Sequence, residues 1–264
     1  MCVHITPARP TALQRMTGLE PVQDYPAESF PGYVAPIIRA DAEAAAGLRV
    51  DLAMFGLIPS WSKDRSIGRR TYNARTETVA EKPSYRTAWR QRQFCLVPVD
   101  RFFEPCWETG KAVPWSIHRQ DGEPFTVAGI WDRWNDRATG EIVVSFSMLT
   151  INADGHPIMG RFHRPGDERR SLVVVPPSNV PFTYDLTVSN TPASTLFIAE
   201  VNTFSGAKSL WSLSTPIAYL PFSLAASIAP IPTAPAQVNI ISAFFECIWL
   251  AIVFPKAESV KLFA

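Results

Sequence analysis

The sequence predicts a mixed α+β fold built on a largely antiparallel β-sheet with few helices. Three observations predict it: short apolar runs rich in β-branched and aromatic residues, turn signals between them, and few helical patterns. The chain has 264 residues, of which 47% are hydrophobic and 19% charged, as in a globular protein with a sizeable core. Because strands and helices do not alternate regularly, a parallel βαβ architecture is not expected.

The elements follow from the local patterns in chain order. The predicted strands are Leu52–Ile58, Phe94–Val99, Phe125–Trp131, Ile142–Ile151 and Leu172–Val175. Each of four predicted turns has a glycine directly after a Thr or Asp, at Gly110, Gly122, Gly140 and Gly155. Helices are predicted at Thr11–Thr17 and at Ser84–Gln93, the second beginning just after Pro83.

Charge is distributed unevenly along the chain. The sequence holds 25 basic and 24 acidic residues, and those after residue 186 are Glu200, Lys208, Glu246, Lys256, Glu258 and Lys261. We therefore predict a charged domain at residues 1–186 and a divergent low-charge segment at 187–264. A shifted reading frame near residue 178 would explain the loss of charge. The net charge of +1 limits any nucleic-acid site to a local patch.

The run Val238–Phe254 has a membrane-like composition. Its 17 residues reach the lower limit for a spanning helix, but Glu246 lies in the middle of the run. Because a central carboxylate is costly in lipid, a segment outside the membrane is favoured over a span.

The four cysteines are far apart and show no CxxC or other metal-ligand spacing. Cys95 and Cys106 lie among apolar and aromatic residues, so buried free thiols are expected there. The chain opens without a signal-peptide pattern, which predicts a cytoplasmic location where thiols stay reduced. Neither a metal nor an organic cofactor is expected.

Cys2 carries the most specific chemistry in the sequence. Removal of Met1 leaves a free α-amine and a thiol on one residue, with ordinary pKa values of roughly 8 and 8.5. Usable fractions of both nucleophilic forms are then expected near neutrality. Such an aminothiol reacts with an aldehyde to a Schiff base and then to a thiazolidine ring, and a ring-opened abasic sugar is an aldehyde.

Five further segments follow Met1-Cys2 in a fixed order. The first is Asn73-Ala74-Arg75-Thr76-Glu77-Thr78, which comes after Gly56-Leu57-Ile58-Pro59-Ser60-Trp61. The other four are Cys95-Leu96-Val97-Pro98, Phe102-Phe103-Glu104, Leu149-Thr150-Ile151-Asn152-Ala153 and Arg161-Phe162-His163-Arg164-Pro165. In this order they resemble the SRAP family of SOS-response-associated peptidases, or abasic-site-processing proteins, over about residues 1–177. The resemblance implies a sheet core of the SRAP type.

The resemblance also implies roles for individual residues. Cys2 matches the crosslinking nucleophile, and Asn73 matches the asparagine beside it that holds the sugar or the amine. Arg75 matches an arginine that contacts phosphate. Glu104 and His163 match an acidic residue and a histidine, which would transfer protons during ring opening and loss of water.

Ordinary structural roles compete with each of these assignments. Asn73 fits a turn or cap, Glu104 an ion pair, and His163 a polar surface loop; His118 and His156 lack motif context and are taken as structural. Val3-His4 departs from the family's common Gly-Arg after the cysteine. That departure puts the local DNA contact in doubt more than the thiazolidine chemistry.

Arginines interleave with aromatic residues, a pattern that suits single-stranded DNA binding but also fits solvated helix and loop faces. The groups are Arg69, Arg70 and Arg75 around Tyr72, then Arg86, Arg90 and Arg92 flanking Trp89, then Arg161, Arg164, Arg169 and Arg170 around His163. The group at Trp89 fits a solvated face. Arg75 and Arg164 lie inside the motifs and are predicted DNA contacts, while Trp61 suits base stacking and core packing equally.

The sequence therefore predicts a monomeric enzyme of the DNA damage and SOS response that captures abasic sites in single-stranded DNA through Cys2. It combines DNA–protein crosslinking or lyase-type activity with autocatalytic removal of Met1. Two alternatives remain: a cysteine-type peptidase acting on itself or other substrates, and a non-catalytic single-stranded DNA-binding module. The expected partner is single-stranded DNA with abasic sites, and no membrane is expected.

Overall fold

The computed structural model describes residues 2–20, 24–156 and 158–175, together with the backbone of 184–188 and 197–199. Within these residues a twelve-stranded sheet is accompanied by two α-helices, α1 (Pro10–Thr17) and α2 (Arg86–Arg90). The strands are β1 (His4–Pro7), β2 (Val34–Ala40), β3 (Leu48–Phe55), β4 (Asn73–Arg75), β5 (Phe94–Cys106), β6 (Val113–Arg119), β7 (Phe125–Asn135), β8 (Ile142–Asn152), β9 (Arg170–Leu172), β10 (Val174–Val175), β11 (Tyr184–Val188) and β12 (Phe197–Ala199). Short 3₁₀ helices occupy Arg65–Arg70 and Met159–Arg161.

Five strands close into a ring. The order is β7-β8-β3-β2-β5, and β5 pairs back with β7. Pairing is antiparallel around the ring except between β3 and β8, and the short β4 also runs parallel to β8. A mixed, mostly antiparallel barrel with two short helices confirms the predicted α+β class.

The long strand β5 organises the molecule because its two halves have different neighbours. Residues Phe94–Val99 pair with β7, whereas the second half pairs with β6 and with β1. In the β1 pairing His4 lies opposite Phe103 and Ile5 opposite Phe102. The start of the chain is thereby fixed against the part of β5 that carries Glu104.

The main core cluster fills the barrel with apolar side chains, among them Phe55, Phe102 and Phe146. Phe55 and Phe146 stack with ring centroids 5.2 Å apart, an arrangement that adds to the free energy of simple burial. Cys2 belongs to the same cluster. Cys95 and Cys106 are buried free thiols, as predicted.

The predicted turn glycines all adopt positive φ, at Gly110, Gly122, Gly140 and Gly155. The predicted strand Leu52–Ile58 is displaced, since β3 begins at Leu48 and ends before Gly56. Gly56 has φ 117°, and a Cβ there would lie 2.2 Å from the Gly68 carbonyl oxygen. Close backbone approach therefore ends the strand. The predicted helix Ser84–Gln93 is shorter than expected, spanning Arg86–Arg90.

At the other side of the sheet, β11 pairs with β6 and β12 pairs with β11. The domain boundary after residue 186 stays a prediction, and Val238–Phe254 lies outside the described residues. Among the residues that the structure describes, no helix has the length and apolar character needed to cross a membrane.

Candidate active site

Cys2 is held inside the protein, although it is the second residue of the chain. Its side chain is 1% exposed, and its thiol donates a hydrogen bond to the His4 carbonyl oxygen at 3.3 Å. Strand β1 begins two residues later, at His4, and is paired with β5. The position of the sulfur is therefore fixed by sheet pairing, where a chain end would otherwise fray.

Asn73 contacts Cys2 directly. Its Nδ2 donates to the Cys2 carbonyl oxygen at 2.8 Å, and the residue is 8% exposed. The Tyr85 hydroxyl donates to the Asn73 carbonyl at 3.0 Å and helps to hold β4 in place. Asn73 Oδ1 is buried and accepts no hydrogen bond from the described residues. One amide group thus holds Cys2 and keeps an acceptor available for a second donor.

Glu104 and His163 face each other across 3.9 Å, measured from Oε2 to Nε2. Glu104 is 2% exposed on β5, and the His163 backbone N–H donates to the Pro105 carbonyl at 3.1 Å. An isolated antiparallel β-bridge between the backbones of Cys106 and Phe162 holds the same loop. The separation is too long for a direct hydrogen bond, and it leaves the two groups close enough to act on one small substrate group.

The environment shifts the pKa values of these groups in different directions. Burial raises the pKa of Glu104 to about 7, so the carboxyl group is about half protonated at neutral pH. Burial lowers the pKa of His163 to about 4, so the imidazole is neutral there. Neighbouring titratable groups whose pKa values are strongly shifted by burial are typical of catalytic sites. We call Cys2, Asn73, Glu104 and His163 the inner cluster.

The expectation of ready thiolate at neutral pH is wrong for Cys2 in this environment. Burial, followed by the nearby Glu104 carboxyl, raises the pKa of the thiol well above its ordinary range. A buried anion near a carboxylate is disfavoured, so the sulfur remains protonated. Any reaction of this sulfur therefore has to move its proton at the same time.

Tyr72 is a site neighbour that the sequence interpretation placed only among arginines. Its ring packs edge-on against Phe55, with centroids 6.1 Å apart, at the border of the cluster that holds Cys2. Burial, then charge interaction with Cys2 and Glu104, raises the pKa of the Tyr72 phenol. Its position directly before Asn73 was the sequence feature that could have placed Tyr72 near the site. The strand pairing that brings it there was not visible in the sequence.

His4 is packed between two phenyl rings rather than directed at solvent. It stacks on Phe103 at 3.9 Å and on Phe30 at 4.3 Å between ring centroids, and its Nε2 lies 3.2 Å from a Glu28 carboxylate oxygen. These contacts hold β1 onto β5. Although Val3-His4 departs from the family's Gly-Arg, His4 therefore contributes to the packing of β1 in this chain.

The predicted DNA contacts Arg75, Arg164 and Trp61, here called the outer residues, are more exposed. Arg75 follows Asn73 by two positions and forms an ion pair with Glu168 at 2.7 Å. The Arg164 guanidinium lies 5.8 Å from the centroid of the Trp107 ring. Trp61 is 56% exposed, and its indole N–H donates to the Pro83 carbonyl at 3.2 Å. Its exposure favours base stacking over core packing.

Two of the arginines that surround His163 in the sequence form ion pairs with carboxylates. Arg161 forms a bidentate pair with Glu108, with N–O distances of 2.7 and 2.9 Å. Arg170 is buried and bonds to Glu77 and Glu168. Both side chains are therefore ion-paired in this structure, and their place on a DNA-binding surface stays a prediction. Trp89 is a core residue, consistent with a solvated face for the arginines around it.

Comparison with known proteins gives the class to which this fold and site belong. Residues 1–181 match the family model described as SOS response associated peptidase (SRAP). The chain belongs to this family, as its ordered motifs predicted. The match ends close to the point where the charge content falls.

The relatives carry the name abasic site processing protein. YoqW of Bacillus subtilis is 37% identical over 90 residues, which are 33% of this chain and 39% of YoqW. HMCES of Gallus gallus is 26% identical over 137 residues, 44% of this chain and 40% of HMCES. The matched segments thus span about two fifths of these relatives.

Solved structures share the fold over most of the described residues. A crystal structure from Bordetella bronchiseptica has a TM-score of 0.60 and 34% identity, and covers 66% of this chain and 84% of its own. One from Bacteroides thetaiotaomicron has a TM-score of 0.53 and 25% identity, and covers 66% and 77%. Both likenesses extend well beyond the motif segments.

Proposed function

We propose that this protein captures abasic sites in single-stranded DNA covalently, through a thiazolidine formed by Cys2 after Met1 is removed. The observation that carries the proposal is the inner cluster, in which the Asn73 amide is bonded to Cys2 and Glu104 lies beside both Cys2 and His163. Membership of a family whose relatives are named for abasic site processing supports the same substrate class.

The first step is opening of the cyclic abasic sugar. A base removes the proton of the anomeric hydroxyl, the C–O bond to the ring oxygen breaks, and an acid protonates that oxygen. Glu104, with a pKa of about 7, is suited to supply the proton, and neutral His163 is suited to accept one. The Asn73 Oδ1 acceptor is available to hold a sugar hydroxyl or the Cys2 amine.

The second step joins Cys2 to the aldehyde. The α-amine adds to the carbonyl carbon, and water leaves with a proton from the acid, forming the Schiff base. The sulfur then bonds to the same carbon while its proton is transferred to the nitrogen. Because burial keeps the thiol protonated, the amine acts first and the ring closes by this coupled transfer.

The outer residues supply the non-covalent contact with DNA. Arg75 and Arg164 would pair with backbone phosphates, and the exposed face of Trp61 would stack on a base. Phosphate contacts of this kind bind damaged and intact strands alike. Selectivity for the abasic site then comes from the aldehyde chemistry in the inner cluster.

The test is intact-mass analysis of the purified protein mixed with single-stranded DNA that holds one abasic site. The expected adduct has the mass of the protein without Met1 plus the oligonucleotide, minus one water. It should resist denaturant, map to the Cys2 peptide, and form equally in a Cys106→Ala control. An active protein that retains Met1 would overturn the mechanism.

A peptidase function is the second candidate, because the matching family is described by that activity. Its minimum form is autocatalytic cleavage after Met1, which would expose the Cys2 amine. Incubation with unrelated peptides distinguishes the two functions: Cys2-dependent cleavage without a DNA adduct supports the peptidase. Reversible DNA binding without either reaction would indicate a non-catalytic binding module.

A further inference from the structure

Glu168 joins two arginines with its two carboxylate oxygens. Oε2 lies 2.7 Å from Nη1 of Arg75, and Oε1 lies 2.7 Å from Nη1 of Arg170. The sequence motifs did not single out Glu168. Its bridging position connects the predicted phosphate contact to a buried part of the fold.

The two arginines depend on Glu168 to different extents. Arg170 is 2% exposed, bonds to Glu77 through both terminal nitrogens at 2.8 and 3.2 Å, and donates to the Thr150 carbonyl at 2.8 Å. Arg75 is half exposed, and its ion pair is with Glu168. If Arg75 turned to another anion, Glu168 would keep its bond to Arg170 and remain paired.

The placement of Arg75 makes such an exchange productive. Asn73 and Arg75 are two positions apart on β4, so their side chains leave the same face of the strand. The Asn73 side chain reaches Cys2 on that face. Glu168 therefore occupies the place where a backbone phosphate would meet Arg75, on the strand that also carries Asn73.

We propose that Glu168 is a specificity-determining residue that takes the place of phosphate on Arg75 in the free protein and is displaced when DNA binds. This rests on the proposed capture of abasic DNA. When DNA binds, Arg75 loses its ion pair with Glu168 and gains one with a phosphate, so the net gain in binding free energy is small. Every strand therefore binds more weakly than it would if Arg75 were unpaired in the free protein. An intact strand then dissociates readily, whereas an abasic strand is retained by the covalent bond.

Glu168→Gln and Glu168→Asp test the exchange from two directions. The first removes the charge; the second keeps it but shortens the side chain, so that it no longer spans both arginines. Both should bind intact single-stranded DNA about two- to fivefold more tightly than wild type, the range expected for an exposed ion pair. Fluorescence anisotropy at fixed salt measures this, and thermal melting monitors the fold.

A double-mutant cycle with Arg75→Ala assigns the effect to the exchange. In the Arg75→Ala background, Glu168→Gln should give no gain, whereas a general charge effect would persist. Glu123→Gln is the matched control, since Glu123 is exposed and paired with Arg15 elsewhere on the surface. Equal gains in that control, or gains that survive Arg75→Ala, would overturn the proposal.

Adduct formation on abasic DNA separates this inference from the proposed function. If wild type binds and crosslinks but Glu168→Gln binds no tighter, the exchange is wrong and capture stands. If wild type binds but forms no adduct, capture fails whatever Glu168 does.

Discussion

The inner cluster and the outer residues differ in burial, in charge and in what holds them. Cys2, Asn73 and Glu104 are nearly buried, and their positions come from sheet pairing and from one amide hydrogen bond. Arg75 is half exposed and paired with a carboxylate that is itself partly exposed. Proton transfer needs fixed geometry away from water, whereas phosphate contact needs mainly charge. Changes inside should therefore alter rates, and changes outside should alter affinities.

Cys2→Ala should produce the largest effect of any single change. It removes the sulfur that closes the ring, so denaturant-resistant capture should be lost completely, while affinity for intact single-stranded DNA stays near wild type because phosphate contacts are untouched. A denaturing gel and a binding titration measure the two quantities. A stable adduct in Cys2→Ala would assign the nucleophile to another residue.

Glu104→Gln should slow crosslinking by about 10²-fold or more at neutral pH, with DNA affinity nearly unchanged. Glutamine preserves shape and hydrogen-bonding capacity but cannot titrate. His163→Ala should have an effect of the same kind. The defect of Glu104→Gln should be larger with a ring-closed abasic sugar than with a simple aldehyde, which needs no ring opening. Equal, small defects with a lowered melting temperature would make Glu104 structural.

Arg75→Ala should affect binding rather than the rate at saturating DNA. Because Arg75 gives up its ion pair with Glu168 to make this contact, its loss should weaken affinity only about twofold at 0.1 M salt and lower the salt slope by about 0.7. Anisotropy titrations over a salt series measure both. The Arg15→Ala variant is a suitable comparison, because Arg15 also pairs with an exposed carboxylate. An unchanged slope would leave Arg75 with only its ion pair to Glu168.

A further prediction concerns stability and pH. The folded pKa of Glu104, about 7, lies above its ordinary value of 4.5, so wild type binds an extra proton when folded. Stability from this group is present below pH 4.5 and is lost as pH rises through 7, by about 3 kcal/mol. Because glutamine does not titrate, the Glu104→Gln variant does not lose this stability as the pH rises. Its melting temperature relative to wild type should therefore rise by several degrees between pH 5 and pH 8.

His163 makes the opposite contribution to the pH dependence. Its folded pKa of about 4 lies below the ordinary 6.5, so the stability it supplies is present above pH 6.5 and lost as pH falls through 4. Because the two groups lie 3.9 Å apart and are coupled, the Glu104→Gln comparison is repeated in a His163→Ala background, which removes the His163 contribution. A constant difference in melting temperature from pH 5 to pH 8 would contradict the raised pKa of Glu104.

Much of the sheet could be predicted because β5, β7 and β8 contain long apolar runs. Among the strands before residue 176, those that escaped prediction are β1, β2, β4 and β6. Three of them contain a proline, at Pro7, Pro36 and Pro114, and β4 has three residues without an apolar run. Such segments become strands because neighbours supply their hydrogen bonds, and the pairing partner is not visible in local sequence.

The inner cluster was predictable as a set of residue types in a fixed order, although their roles stay predictions. Its environment was not predictable, because it depends on contacts between distant segments. The raised pKa of the Cys2 thiol requires burial beside Glu104, and the sandwich of His4 requires Phe30 and Phe103. The pairing of Arg75 with Glu168 likewise joins two separate motifs.

The backbone at His163 restricts which residues can replace it. Its φ of 78° is left-handed, a conformation that costs most L-residues about 1–2 kcal/mol and that Gly and Asn adopt more readily. The loop is held there by the Pro105 carbonyl and by the Cys106–Phe162 bridge. Mutational tolerance at position 163 is thus limited twice, by the imidazole and by the main chain. Asparagine at position 163 would lack the imidazole but would still tolerate the left-handed backbone.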